Sequence, residues 1–436
     1  MGTFIPNTRE EQKSMLEEIG YSSLDDLFKD IPTECMFKGE LNIPKGKAEL
    51  EVVREIDKMA DRNKMYKKIF RGAGAYYHYV PSIVDTVSNK EEFVTSYTPY
   101  QAEISQGILQ SIFEYQTMIC ELTGMEATNA SVYDGCSAAA EACTMCIERK
   151  RRKIYISETV DPRIIETIRT YNFGSDAEIL MVPKVDGETD SKSLKDMLDD
   201  QSACLVIQQP NYFGILEEVD ALSDVVHEAG AKLIMSCNPI SLGLLKTPGE
   251  YGADIAVGEG QPLGLGLAYG GPYLGFMATT KKMFRKLPGR IAGETVDKNG
   301  ERGFVLTLQA REQHIRREKA SSNICSNQAL CALKVAVYLS AVGPKGIKEV
   351  AVQCTSKAHY LQKGLEKAGL KLEYDKPFFN EFVTDSCDSS KLLKALDEKD
   401  ILGGLPLGDN RILWCATEMA TKEDMDELIN ATKEVS

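Results

Sequence analysis

After the short apolar strand that opens DIAVGEGQPLGLGLAYGGP (254–272), glycines recur at 258, 260, 264, 266, 270 and 271. Glycine-rich loops behind buried strands bring backbone N–H groups close to a phosphate or a cofactor. This loop carries no lysine, arginine or histidine, and its single acid is Glu259. A second candidate is NASVYDGCSAAAEA (129–142), where an Asp134-Gly135 turn runs straight into an alanine-rich helix. The N–H groups of Gly135, Cys136 and Ser137 at that helix start form an anion site or, equally, an ordinary capped end. A third is the pair RGAGAYYHYVPSIVD (71–85) and EFVTSYTPYQAEISQG (92–107), which sets five tyrosines, His78 and Gln101 in loops. Such loops line sites on rigid scaffolds, although aromatic rims also pack for their own sake.

Other chemistry is excluded by pattern. GxxxxGK[ST], GxSxG and HExxH are absent, and the Gly258–Gly271 loop opens no helix of the dinucleotide-binding kind. Cys143 and Cys146 have metal-ligand spacing, but no second pair and no nearby histidine completes a four-ligand set, so they read as buried small hydrophobes and no metal is expected. The four histidines, 78, 227, 314 and 359, are scattered.

The elements that must position these residues alternate from residue 153 onward. KIYIS, EILMVP, ACLVIQQ, KLIMSC and DIAV are short apolar strands separated by amphipathic helices such as DPRIIETIRTY, with YLGFMAT as one strand more. That pattern predicts a mainly parallel sheet covered on both faces. Before it, residues 100–124 read as a helix with Ile104, Ile108, Ile112, Tyr115, Ile119 and Leu122 on one stripe, closed by Gly124. After it, NQALCALKVAVYLSAVG leads to Gly343-Pro344. A smaller α+β unit follows, with helices over 346–368 and 389–398, strands near 371–374, 379–384 and RILWCAT, and a final helix. The expected organisation is α/β: an N-terminal helical extension (1–70), a large α/β domain (71–343) and a small α+β domain (344–436). In the extension, Thr8 and Glu11 form a capping-box pattern for a helix ending at Gly20.

A formal net charge of −14 over 436 residues argues against nucleic-acid binding. The basic run at 150–153 reads as a solvated helix end. The polar N-terminus lacks an apolar signal region, no uninterrupted apolar run reaches membrane-spanning length, and twelve cysteines fit a reducing compartment. A cytoplasmic protein with no membrane association is expected.

Four stretches in fixed order, FRGAGAYYHYVP, SYTPYQAEISQGILQSIFEYQTMICELTGM, NASVYDGCSAAAEA and REQHIRREKASSNICSNQAL, resemble the glycine cleavage system P-protein family, glycine decarboxylase. The likeness is to its N-terminal half, which many prokaryotes encode separately as subunit 1, and it covers nearly the whole chain. It implies a type I pyridoxal-phosphate (aminotransferase-like) fold, in which an Asp on one strand meets the cofactor's pyridine nitrogen and a Lys after a later strand forms the Schiff base. Here those positions fall at Ser236 and at Gln261 or Pro262, while Lys281 and Lys282 come too late to substitute. The resemblance therefore implies a lysine and a covalently held pyridoxal phosphate on subunit 2, a heterodimer paired into an α2β2 tetramer, decarboxylation of glycine, and transfer of the aminomethyl group to the lipoyl arm of H-protein. Tyr76, Tyr77, His78, Tyr97, Tyr100, Gln101 and Arg290 are expected to line the pocket mouth or channel. Arg316, Arg317 and Lys319 stand behind them, and Gly135–Ser137 would be a vestigial anion site.

Overall fold

The computed structural model describes residues 7–386 and 388–435. Among the described residues, 7–65 and those from Tyr66 onward form two compact units. In the first, α1 (Arg9–Glu18) starts at the expected capping box: Thr8 Oγ1 accepts from the Glu11 N–H at 3.2 Å and Glu11 Oε2 from the Thr8 N–H at 2.6 Å. A 3₁₀ turn (Leu24–Phe28) and α2 (Glu49–Ala60) follow.

The second unit carries the main sheet, with β1 (Ala127–Thr128), β2 (Lys153–Ser157), β3 (Glu178–Val182), β4 (Ser202–Gln209), β5 (Lys232–Cys237), β6 (Ile255–Glu259) and β7 (Gly275–Thr279). The order is β1-β7-β6-β5-β4-β2-β3, and β7 alone runs against the other strands. Alternate residues go to opposite faces. Tyr155, Leu205, Leu233 and Met235 join one core, while Ile154, Ile156, Val206 and Ile234 join another. Two buried faces explain why these strands read as continuous apolar runs.

Helix α3 (Gln106–Thr123) lies against one face and ends at Gly124 in the left-handed conformation (φ 68°). It starts six residues later than the apolar stripe predicts. Residues 101–105 form a turn ahead of it, and Ile104 is exposed instead of joining the stripe. Helices α4 (Gly135–Cys146), α5 (Pro162–Asn172) and α6 (Val219–Glu228) are the crossovers and flanking layer. Between β7 and the final α+β region sits a hairpin that sequence pattern did not show, β8 (Ala292–Val296) with β9 (Arg302–Leu306).

Helix α7 (Ala329–Lys367) is broken at Gly343, whose φ of 59° and ψ of −177° no helix contains, just before Pro344. By length and composition it is apolar enough to cross a membrane. Its Val335 and Ala351 are nevertheless fully buried in the main core, and its Leu361 and Leu365 in that of the small sheet. The small sheet runs β10 (Lys371–Leu372), β11 (Glu381–Asp385), β13 (Arg411–Cys415), β12 (Leu405–Gly408), all antiparallel, with α8 (Ser389–Glu398) and α9 (Lys422–Val435) packed on it. Lys68-Ile69, expected in a helical extension, pairs in parallel with Ile401-Leu402.

Candidate functional site

A cleft of about 210 Å³ opens outside the carboxyl ends of β4, β5 and β6, where ligands sit in open α/β sheets. Gln208 lies near the end of β4 and Pro210 just after it, Ser236 and Cys237 end β5, Glu259 ends β6, and the start of α4 closes one side. The opposite wall comes from the loop 72–76, from Asp161 and Arg163 at the start of α5, and from Asn380 and Glu381 leading into β11.

The floor is built by Glu259. Its Oε2 accepts from the Gly135 N–H at 3.0 Å, and its Oε1 from the N–H groups of Gln261 at 3.0 Å and Leu274 at 2.9 Å. Burial pushes this carboxyl up to about 7 in spite of those three donors. The Ser137 N–H, in turn, donates to Asp134 Oδ1 at 2.7 Å. The Gly135 and Ser137 N–H groups at the α4 start, read from sequence as an anion site or equally an ordinary capped end, are therefore taken by carboxyl groups of the chain itself.

Gln261 is fully buried and points away from the cleft. Its Nε2 donates to the carbonyls of Tyr76 at 2.9 Å and Leu265 at 2.8 Å, and its Oε1 accepts from the Tyr76 N–H at 2.8 Å. Pro262 is the neighbour that faces the cleft. The amide thus staples the loop after β6 to the tyrosine loop.

Glu381 fastens the same loop from the other side, accepting from the Ala73 N–H at 2.6 Å and the Tyr76 hydroxyl at 2.8 Å. Full burial lifts its carboxyl to about 7, against the pull of these two donors. Arg163, the one basic residue among the described residues lining the cleft, engages its Nε and Nη2 with Asp161 and the Ala73 carbonyl.

The resemblance implies a pyridoxal phosphate site in this cleft, and the residues present do not fit that group. Pro262 has no amine and the Gln261 amide is engaged. Ser236 offers a hydroxyl in place of an acid, and the helix start already holds Glu259.

The residues expected to line a channel fall into separate places. Tyr76 is buried between Gln261 and Glu381. The His78 side chain is buried too, its Nδ1 2.7 Å from Glu418 Oε2, so it clamps the loop while bordering, with Tyr76, a neighbouring cavity. Glu418 also accepts from the Tyr79 N–H at 2.7 Å, and Cys354 Sγ lies 3.5 Å from its Oε2. Burial pushes the Glu418 carboxyl up, but the His78 contact and the Tyr79 N–H outweigh it and leave it below its ordinary value. His78, Cys354 and Glu418 bring metal-ligating atoms within 4.8 Å of one another, yet burial holds the Cys354 thiol well above its usual range, in its protonated form. Tyr77 is partly exposed and faces a neighbouring cavity with Tyr79, Leu267 and Met419.

Tyr100 belongs to a second cluster. Its ring lies under the Arg290 guanidinium, 4.6 Å from the centroid, and its hydroxyl is 3.2 Å from the Cys325 carbonyl and from Asn327 Oδ1. Arg290 forms a buried ion pair with Glu312. Tyr97 is 88% exposed, and Gln101, Arg316, Arg317 and Lys319 lie on the surface. Sequence reasoning missed Asp161, Glu381 and Glu418. The signal for Glu381 was an acid at the head of the apolar strand EFVTD; Glu418 had none.

The chain matches the family Glycine cleavage system P-protein over residues 2–432. It is 49% identical over 435 residues to a protein of Carboxydothermus hydrogenoformans named probable glycine dehydrogenase (decarboxylating) subunit 1, covering 98% of each chain. A protein of the same name from Desulfitobacterium hafniense is 48% identical over 443 residues, covering 99% of each. Among solved structures, an inhibitor-bound glycine decarboxylase (P-protein) of the glycine cleavage system superposes with a TM-score of 0.92 at 42% identity over the full length of both chains. A sphingosine-1-phosphate lyase of Burkholderia pseudomallei shares the fold alone, at a TM-score of 0.67 and 15% identity over 93% of this chain and 94% of that one. By coverage and identity together, the chain belongs to the glycine cleavage system P-protein family.

Proposed function

We propose that this chain is subunit 1 of a split glycine dehydrogenase (decarboxylating), and that it works only with a subunit 2 that carries the pyridoxal phosphate. One observation carries the reading: in a chain of this family, the cleft at the strand ends is lined by Ser236 and Pro262, and no lysine is among its described lining residues. The decarboxylation of glycine is assigned to the partner's cofactor, and the lipoyl arm of H-protein receives the aminomethyl group.

This chain contributes walls and order. Tyr77, Tyr97, Tyr100 and Gln101 supply aromatic and polar surface to the shared pocket mouth and channel. Arg290, fixed by Glu312, orients the Tyr100 ring. Tyr76 and His78 act beneath that surface by holding its loop. Two copies of each subunit in a cytoplasmic α2β2 assembly complete the proposal.

The test is exchange of labelled CO2 into glycine, with this chain, subunit 2 and H-protein assayed singly and mixed. Exchange is expected only in the full mixture, and Tyr97→Phe and Tyr100→Phe chains that still co-purify with subunit 2 should lower it. Full exchange by subunit 2 and H-protein alone would overturn the shared-site reading. Undiminished exchange with both variants would make the chain a scaffold.

A further inference from the structure

We propose that Glu259 is a built-in occupant of the anion seat at the start of α4, a carboxylate of the chain standing where a phosphate would dock, so that the cleft rejects phosphorylated ligands. Glu259 comes from a different element, β6, and delivers Oε2 to the Gly135 N–H at 3.0 Å. The approach is close enough that a Cβ at position 135 would lie 2.8 Å from the Glu259 nitrogen and 3.0 Å from its Cβ. Gly135 is therefore required where the helix start meets the strand end.

Charge points the same way. The cleft is lined by four carboxyl groups, Asp134, Asp161, Glu259 and Glu381, and by one cation, Arg163. Arg163 is already committed to Asp161 and the Ala73 carbonyl. A phosphate entering the cleft meets a helix start already held by an internal carboxyl, and a single guanidinium, that of Arg163, whose Nε and Nη2 are engaged within the chain. Neutral and cationic groups are the chemistry the cleft tolerates. The carboxyl held at about 7 by burial fits a group wedged into a dry seat, with the N–H donors keeping it there.

This inference concerns ligand rejection by the chain alone and does not depend on which subunit supplies the chemistry. It is tested on the full-length chain by calorimetric titration with inorganic phosphate at matched ionic strength, and by the absorbance and fluorescence of added pyridoxal phosphate. The wild-type chain is expected to bind neither saturably at millimolar concentration. Glu259→Ala, which vacates the seat, should bind phosphate at least about tenfold more tightly than wild type, as removal of an anion from a partly buried helix terminus allows, and phosphate should raise its Tm. Should the alanine variant not fold, Glu259→Gln, which keeps the volume but removes the charge, should show the same direction of change. Sub-millimolar phosphate binding by wild type, or no gain in a folded Glu259 variant, overturns the proposal. Lost glycine exchange in the mixed complex, with these binding results intact, would count against the proposed function alone.

Discussion

Replacing Gln261 by Glu exchanges one amide nitrogen for an oxygen and changes little else in shape. In the wild type that nitrogen donates to two carbonyls, at 2.9 Å and 2.8 Å, inside a fully buried pocket. A carboxylate there would keep the Tyr76 N–H on one oxygen, while its other oxygen would face two acceptors without a donor. The new side chain therefore takes up a proton when the chain folds. Holding neutral a carboxyl that titrates near 4.3 when unfolded costs about 5 kcal/mol at pH 8 and about 2 kcal/mol at pH 5.5. The sign follows from a folded pKa raised above the unfolded one: stability is fully present at low pH and is lost as pH rises. In a unit of this size each kcal/mol moves Tm by about 1–2 °C. Relative to wild type at the same pH, Gln261→Glu should lose about 5–10 °C at pH 8 and about 2–4 °C at pH 5.5, read by circular dichroism melts. Equal losses at both pH values, or a loss under about 1 °C at pH 8, would refute the role given to the Gln261 amide.

Glu381, lifted by burial from 4.5 to about 7, contributes stability that is complete below pH 4.5 and lost as pH rises through 7. Glu381→Gln should flatten the fall in urea stability between pH 5 and 8 by about 3 kcal/mol; parallel wild-type and variant curves would count against it. Glu418, held below its ordinary value, works in the opposite sense, its stabilisation being present above pH 4.5 and lost as pH falls through the folded pKa. His78→Ala leaves that carboxylate buried without its partner, which should cost about 3 kcal/mol and open the 72–80 loop to limited proteolysis. Arg290→Ala strands the buried Glu312 and should cost about 3–5 kcal/mol. Arg290→Lys should recover only part of this, since an ammonium lacks the flat face that covers Tyr100.

The main sheet was legible because its strands are buried on both faces, so the apolar runs KIYIS, ACLVIQQ and KLIMSC stood out from the helices between them. The capping box at Thr8 and the break at Gly343-Pro344 were legible because local backbone chemistry decides them. The hairpin β8–β9 was not, since only Ala292 and Phe304 of its strands are buried and it lacks a continuous apolar run. Nor was the pairing of Lys68-Ile69 with Ile401-Leu402, where two residues meet across more than three hundred in sequence. In the site, Ser236 and Gln261-Pro262 were visible in the sequence as residue types near the ends of β5 and β6. The bonds that shape the site were not, because Glu259 on the α4 start and Glu418 on His78 are contacts between elements distant in the chain.

The loop after β6 owes its form to polar satisfaction from within. A glycine-rich turn at a helix start exposes N–H groups that must find acceptors once buried. Glu259 supplies acceptors to three of them, at Gly135, Gln261 and Leu274, and Gln261 then ties the loop to both main-chain groups of Tyr76. Tyr76 continues the chain of contacts to Glu381 at the head of β11, and His78 carries it to Glu418 beyond β13. The cleft is thus braced between the two sheets by side chains that bond to one another and to the main chain of the tyrosine loop. A loop fastened from both sides within its own chain can hold one conformation before any partner arrives, which is what the proposed role in completing another subunit's site requires.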